Sequence, residues 1–144
     1  MKPLSNITIL IAEDERPLRM LVRVVLEAAG ARVLEAENGA VALRLLDLAP
    51  DIDVLCTDVN MPILDGHSLV KTVRRSGRQL PIIACTAMDL EHSFPGMRQL
   101  VDEVVTKPFI PSELVRAIDA ALQRRIPHAL STAARAAGAT THAG

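Results

Sequence analysis

The sequence is most distinctive for what it lacks, since its 144 residues include two Phe and neither Trp nor Tyr. Functions that stack bases or sugars on aromatic platforms are therefore excluded. Its two cysteines, Cys56 and Cys85, are too few for a disulfide framework and favour a reducing, cytoplasmic compartment. No apolar run approaches the roughly 20 residues that a membrane helix needs, and no signal-peptide pattern opens the chain. The net charge of −1 gives no basic surface for nucleic acid.

The overall composition is that of an ordinary globular domain with an aliphatic core, with 49% hydrophobic and 23% charged residues. We place this domain at residues 1–126. Beyond it the sequence is dominated by Ala, Gly, Thr and Ser, and Leu130 is its one large apolar residue. Such a segment cannot bury enough surface to offset its ordering entropy, so residues 127–144 are expected to be a disordered tail.

Short apolar runs alternate with segments of helical periodicity along the whole domain. Each run is too short for a helix and is consistent with a buried strand. Five such runs are found, at residues 7–12, 33–34, 53–57, 80–86 and 104–106. The alternation predicts an α/β fold with a parallel sheet and helices on both of its faces. The last helix is expected to begin near Ser112, which is a good N-cap residue.

Polar side chains follow four of these strands. They are Glu13 and Asp14 after the first, Asp58 after the third, Thr86 at the end of the fourth and Lys107 after the fifth. Because the carboxyl ends of parallel strands share one edge of the sheet, these five side chains are expected to converge.

This convergence of acids predicts chemistry that requires a cation. Two unit charges about 4 Å apart repel by roughly 4 kcal/mol at an effective dielectric constant of 20. A hard divalent cation such as Mg²⁺ compensates such a cluster and binds next to phosphate. Lys107 can neutralise a phosphoryl oxygen, and the hydroxyl of Thr86 can donate a hydrogen bond to another. Asp58, which is already charged at pH 7, is the natural nucleophile, so the cluster predicts phosphoryl transfer.

The same residues form an ordered sequence pattern. Glu13-Asp14 is followed by the stretch 57–66 (TDVNMPILDG), then by Thr86-Ala87 and the stretch 107–109 (KPF). Over residues 5–126 the chain resembles the receiver domain of two-component response regulators. The resemblance implies a flavodoxin-like, doubly wound sheet of five strands in the order 2-1-3-4-5. It also implies self-phosphorylation and self-dephosphorylation at one aspartate, and no other enzymatic activity.

The resemblance further implies a role for each residue of the site, and a cis peptide bond between Lys107 and Pro108. The implied roles are phosphoacceptor for Asp58, direct Mg²⁺ ligand for Asp14, Mg²⁺ ligand through water for Glu13, Mg²⁺ ligand through its backbone carbonyl for Asn60, switch hydroxyl for Thr86 and phosphoryl ion partner for Lys107.

Two features depart from the family pattern. Many members carry Tyr or Phe three residues before the lysine, whereas this chain has Val104, whose β-branched side chain has little freedom to swing. Pro95-Gly96 interrupts the region of the fourth helix, so we predict that this helix is short or broken. We therefore hypothesise a non-standard output face. Met88 is predicted to shield the phosphoryl group from water.

The resemblance also implies partners. They are a sensor histidine kinase or a histidine phosphotransfer protein as donor and an unidentified protein target, with no nucleic acid or membrane, and the chain is expected to be a monomer or weak dimer. A phosphorelay intermediate or phosphate sink remains an alternative to a stand-alone regulator. Met1 directly ahead of the first strand favours a complete protein over a fragment of a hybrid kinase, and no output domain is recognised after residue 126.

Two other classes of protein are disfavoured by single positions. An aspartate-nucleophile phosphohydrolase would need a second acid where this chain has Asn60, because an amide cannot shuttle protons. A flavodoxin-like carrier of FMN would need a Ser/Thr/Gly-rich phosphate loop after the first strand. The acidic stretch 13–15 would instead repel a phosphate that lacks a metal.

Overall fold

The structure, a computed structural model, describes residues 2–87 and 89–124. Met88 and the expected tail at 127–144 lie outside the described residues. Five strands form one parallel sheet in the order β2-β1-β3-β4-β5, which confirms the predicted fold class and strand order. The strands are β1 (Thr8–Ala12), β2 (Arg32–Ala36), β3 (Val54–Asp58), β4 (Ile82–Thr86) and β5 (Glu103–Thr106).

Helical segments connect the strands and cover both faces of the sheet. They are α1 (Arg16–Ala28), α2 (Gly39–Leu48), α3 (Gly66–Arg75), α4 (Leu90–Ser93), a 3-10 turn (Met97–Gln99) and α5, which is helical over residues 111–124. None of these helices has both the length and the apolar character that crossing a bilayer requires.

The two faces of the sheet form two separate cores because side chains alternate along each strand. On one face, α1 and α5 pack against strand residues that include Ile9 and Ile83. On the other face, α2 and α3 pack against strand residues that include Leu10 and Ile82. With both faces covered, the strands are rigid supports for the loops at their carboxyl ends.

Asx side chains cap three of the described helices, and at the start of α4 the Asp89 carboxylate accepts a hydrogen bond from the Glu91 amide. The carboxamide of Asn38 accepts a hydrogen bond from the Val41 amide at 2.9 Å at the start of α2. The carboxylate of Asp65 likewise accepts from the Ser68 amide at 2.7 Å at the start of α3. The last helix begins at residue 111, close to the predicted start near Ser112, but Ser112 lies inside the helix and is not its N-cap. Residue 111 is a proline, which fits the first helical position because its missing N–H is not needed there.

The fourth helix is short, as predicted. It has four residues, and the chain leaves it at Phe94. Pro95 follows and has no amide hydrogen to continue the helix, and Gly96 then takes a left-handed conformation with φ of 89° before the 3-10 turn. The connection between β4 and β5 is therefore one helical turn, a sharp reversal and a second short turn.

Candidate functional site

Three carboxylates converge at the carboxyl edge of the sheet. Glu13 and Asp14 directly follow β1, while Asp58 is the last residue of β3, the neighbouring strand. Each residue contributes an oxygen to a group in which all three atoms lie within 4.8 Å of one another. Glu13 is buried, Asp58 is partly buried and Asp14 is exposed. The arrangement thus has one side open to solvent, where an ion or a substrate can enter.

Lys107 closes the opposite side of this acidic group. Its ammonium lies 2.7 Å from Oε1 of Glu13 and 3.4 Å from Oδ2 of Asp58. Its backbone amide donates to the carbonyl of Thr86 at 2.8 Å, so the residue is fixed to the end of β4. The peptide bond to Pro108 is cis, as the sequence predicted.

The electrostatics of the pair between Glu13 and Lys107 follow from burial. Burial raises the pKa of Glu13 to about 7, although the hydrogen bond from Lys107 and that from the Glu15 amide oppose the shift. Burial alone would lower the pKa of Lys107, but the hydrogen bond to Glu13 and the charge of Asp58 outweigh it and raise that pKa. The ammonium of Lys107 therefore stays charged, and it is shared between the carboxylates of Glu13 and Asp58.

Backbone contacts fix the loop that follows Asp58. Oδ1 of Asp58 accepts a hydrogen bond from the Val59 amide at 2.7 Å. The amide of Gly66 donates to the Val59 carbonyl at 2.8 Å, which folds the loop back onto the strand end. A Cβ atom on Gly66 would lie 2.1 Å from the backbone oxygen of Asp58. The Asp65-Gly66 pair, a simple turn signal in the sequence, thus caps α3 and leaves room for the backbone of Asp58.

The remaining candidate residues occupy the same edge. Thr86 ends β4 and is buried, and in the register of the sheet its neighbour Cys85 lies opposite Asp58. Ala87 follows and is exposed, as is Asn60 in the loop beyond β3. The structure therefore brings oxygens of the three acids within 4.8 Å of one another and Lys107 into contact with Glu13 and Asp58, while Thr86 and Asn60 are placed beside them by position in the fold.

One contact to the site has no signal in the sequence. Arg19, in α1, donates from its guanidinium to the backbone carbonyl of Glu13 at 2.7 Å. The same side chain donates to Oε1 of Glu35 at 3.0 Å on β2. An arginine in an amphipathic helix is usually a solvated side chain, and only the three-dimensional arrangement assigns it to the end of β1.

The chemistry of the donors fits a hard divalent cation. Carboxylate oxygens are the ligands that Mg²⁺ prefers, and the open side leaves room for the waters that Mg²⁺ retains. The cluster of Glu13, Asp14 and Asp58 could hold such an ion. With a cation, a carboxylate and an ammonium at one edge, the site has the charges that phosphoryl transfer requires.

The family to which the chain belongs is established by comparison with known proteins. A sequence profile of the response regulator receiver domain matches residues 9–119. The chain therefore belongs to the receiver domain family of two-component response regulators, which act in phosphorelay signalling. Receiver domains bind Mg²⁺ at an acidic pocket of this kind.

Individual relatives agree with this assignment. The phosphate regulon transcriptional regulatory protein PhoB of Pseudomonas aeruginosa is 39% identical over 124 residues, which cover 83% of this chain and 53% of that protein. The response regulator SaeR of Staphylococcus aureus is 33% identical over 117 residues, covering 81% and 50%. The chain thus spans about half the length of these curated relatives.

Solved structures show the same fold. The receiver domain of the Francisella response regulator 1452 has a TM-score of 0.76 and 30% identity, covering 83% of this chain and 99% of that one. The response regulator TrrA of Thermotoga maritima, solved in complex with Mg²⁺-BeF, has a TM-score of 0.72 and 28% identity, covering 80% and 98%.

Proposed function

We propose that this chain accepts a phosphoryl group on Asp58 in the presence of Mg²⁺. The observation that supports the proposal most directly is the contact of one lysine with two of three clustered carboxylates at the end of a parallel sheet. A carboxylate oxygen of Asp58 would attack the phosphorus of a phosphohistidine. The bond between phosphorus and the imidazole nitrogen breaks, and that nitrogen leaves with the electron pair and takes up a proton. The product is an acyl phosphate, which water can later hydrolyse.

The residues around Asp58 would divide the work of holding the phosphoryl group. When bound, Mg²⁺ would neutralise negative charge on the phosphoryl oxygens. Asp14 would bind the ion directly, Glu13 through water, and Asn60 through its backbone carbonyl. The ammonium of Lys107, now shared between Glu13 and Asp58, would turn to a phosphoryl oxygen, and Thr86 would donate its hydroxyl to another.

A surface beside the site supports a protein as the phosphoryl donor. An apolar cavity of about 370 Å³ lies between α1 and the loop before α5, and Lys107 and Ala87 form part of its wall. On α1, Leu21 lines this cavity and is 52% exposed, whereas Met20 and Val24, 52% and 65% exposed, line a separate cleft beside Glu35. A donor that delivers a phosphoryl group to Asp58 has to cover this region. A sensor histidine kinase or a histidine phosphotransfer protein would fit there.

The output of the chain remains a proposal in two forms. A stand-alone regulator would change its protein contacts, whereas a relay or sink would pass the group to another histidine or to water. The absence of a nucleic-acid partner stays a prediction, since the curated relatives are longer proteins. A short half-life of the acyl phosphate would favour a sink, whereas transfer of the group from Asp58 to a histidine phosphotransfer protein would favour a relay.

The first experiment is to incubate the chain with a small acyl phosphate and Mg²⁺ and to measure its intact mass. We expect one added phosphoryl group, which is lost with a chelator and in Asp58→Asn. The matched control is Asp47→Asn, since Asp47 is an exposed acid on α2 and should leave the adduct unchanged. An adduct that survives in Asp58→Asn would contradict the assignment of the nucleophile. A folded chain that binds Mg²⁺ but forms no adduct would indicate a binding module instead.

A further inference from the structure

Arg19 connects the metal-binding end of β1 to its neighbours. Its guanidinium lies between two acceptors, the carbonyl of Glu13 at 2.7 Å and Oε1 of Glu35 at 3.0 Å. The Arg19 side chain is only 14% exposed, and that of Glu35 is 25% exposed. Hydrogen bonds that involve charged groups are stronger at such partly buried positions than at the solvent-exposed surface.

The support for Arg19 comes from the adjacent strand. Glu35 belongs to β2 and pairs in register with Ile11 of β1, two residues before Glu13. Its pKa is lowered by hydrogen bonds, first from Arg23 and then from Arg19, although its partial burial opposes the shift. The Glu35 carboxylate therefore stays charged, and its hydrogen bond holds the Arg19 guanidinium next to the sheet.

Arg23 provides a natural contrast on the same helix. It also donates to Glu35, but its other hydrogen bond goes to Glu27, not to Glu13. Its side chain is 44% exposed, so its ion pairs contribute little to stability. The two arginines thus share one carboxylate, and only Arg19 reaches the candidate site.

The backbone carbonyl of Glu13, which accepts the hydrogen bond from Arg19, lies between two acidic residues of the cluster. The amide of Glu13 donates to the carbonyl of Ala36 at 3.0 Å, so the amino side of this residue is held by the edge of β2. Its carbonyl belongs to the peptide bond that leads to Asp14. Because a peptide unit is planar, fixing this carbonyl also fixes the direction in which the chain enters Asp14. One hydrogen bond from Arg19 therefore orients two acidic residues of the cluster.

We propose that Arg19 is a positioning residue, which sets the peptide between Glu13 and Asp14 so that both carboxylates face one cation. This inference rests on the proposed function, since it assigns to these acids the binding of Mg²⁺. Groups that orient metal ligands from behind typically change metal affinity by about 10- to 100-fold when they are removed. Loss of the Arg19 hydrogen bond acts on backbone orientation, so we expect an effect at the lower end of that range.

The test compares Arg19→Gln with Arg23→Gln by calorimetric titration with Mg²⁺. We expect Arg19→Gln to raise the Kd for Mg²⁺ by about 10-fold, and Arg23→Gln to stay within about twofold of the parent chain. Arg19→Lys keeps the positive charge but carries its donors on a single nitrogen, which can reach one of the two acceptors, so it should recover part of the affinity. Circular dichroism of each variant serves as the control that its folded fraction equals that of the parent chain.

A second readout needs no metal. The amide of Glu15 donates to Oε2 of Glu13 at 3.1 Å, and this contact depends on how the Glu13 residue is held. We expect faster hydrogen exchange at the Glu15 amide in metal-free Arg19→Gln, but not in Arg23→Gln. Equal Mg²⁺ affinity and equal exchange in the two glutamine variants would overturn the proposal. A parent chain that binds no Mg²⁺ would contradict the proposed function, while the exchange comparison would still decide the role of Arg19.

Discussion

Glu13 is expected to make the stability of the metal-free chain depend on pH. Its side chain is 6% exposed, and burial raises its pKa from an ordinary value of 4.5 to about 7, with a further contribution from the charge of Asp58. Lys107 acts in the opposite direction, since its ammonium stabilises the charged carboxylate. The prediction therefore tests whether burial or the ion pair dominates at this residue.

The sign and size of the effect follow from proton linkage. Between pH 4.5 and 7 the folded chain keeps a proton on Glu13 that the unfolded chain has lost. The free energy of unfolding therefore falls as the pH rises through this window, and the extra stability is complete only at lower pH. At roughly 1.4 kcal/mol for each unit of pKa difference, the contribution falls by about 2 to 3 kcal/mol between pH 5 and pH 8.

The assay is urea denaturation in chelator at several pH values, followed by far-ultraviolet circular dichroism because the chain has no Trp. The quantity of interest is the free energy of unfolding of the parent chain minus that of Glu13→Gln. We expect this difference to fall with pH, whereas the same difference for Glu37→Gln, an exposed surface acid, should stay flat. A difference for Glu13→Gln that stays flat or rises with pH would refute the reasoning and show that the Lys107 ion pair outweighs burial.

Three further predictions concern a close backbone contact, a set of hydrogen bonds and the burial of the two cysteines. Gly66→Ala places a methyl group against the backbone of Asp58, so it should destabilise the chain by about 2 kcal/mol in urea denaturation and slow phosphorylation. Arg78 donates to backbone carbonyls at the end of α2 and in the loop that follows, so Arg78→Ala should lower the free energy of unfolding by about 2 kcal/mol, and Arg78→Lys by less. Burial raises the pKa of Cys85 to about 12 and raises that of Cys56 well above its ordinary value, so a thiol reagent should modify both in urea and neither in the native chain.

The sheet and the site could be predicted from the sequence because local signals and topology agree. The central strands are short apolar runs, and each candidate site side chain lies at the end of a strand or directly after one. Parallel pairing then places Glu13 beside Asp58 with no long-range information beyond the order of the strands. The short fourth helix was equally accessible, since the effect of Pro95 is a local steric one.

The remainder depends on contacts between distant parts of the chain. Arg78 donates to the carbonyl of Leu46, 32 residues earlier, and Arg19 to that of Glu13 through the geometry of α1. No pattern of residue spacing in the sequence predicts that an arginine will donate hydrogen bonds to distant backbone carbonyls. The second strand was predicted at residues 33–34, whereas β2 spans Arg32–Ala36. The prediction was too short because β2 is an edge strand, and its polar residues Arg32 and Glu35 interrupt the apolar pattern.

The two sides of the site differ in their local structure, and this difference bears on how a signal would leave it. On the β1 side, hydrogen bonds with α1 and β2 fix the backbone of Glu13, a candidate residue of the site. Beyond β4, the segment 89–101 consists of two single turns around Pro95 and Gly96, and Val104 replaces the aromatic that many family members carry. Phosphoryl chemistry needs preorganised charges, whereas a conformational response is drawn from elements of low local stability. The response to phosphorylation is therefore expected in segment 89–101, where Phe94 contacts His67 on α3, and not in a swinging side chain on β5.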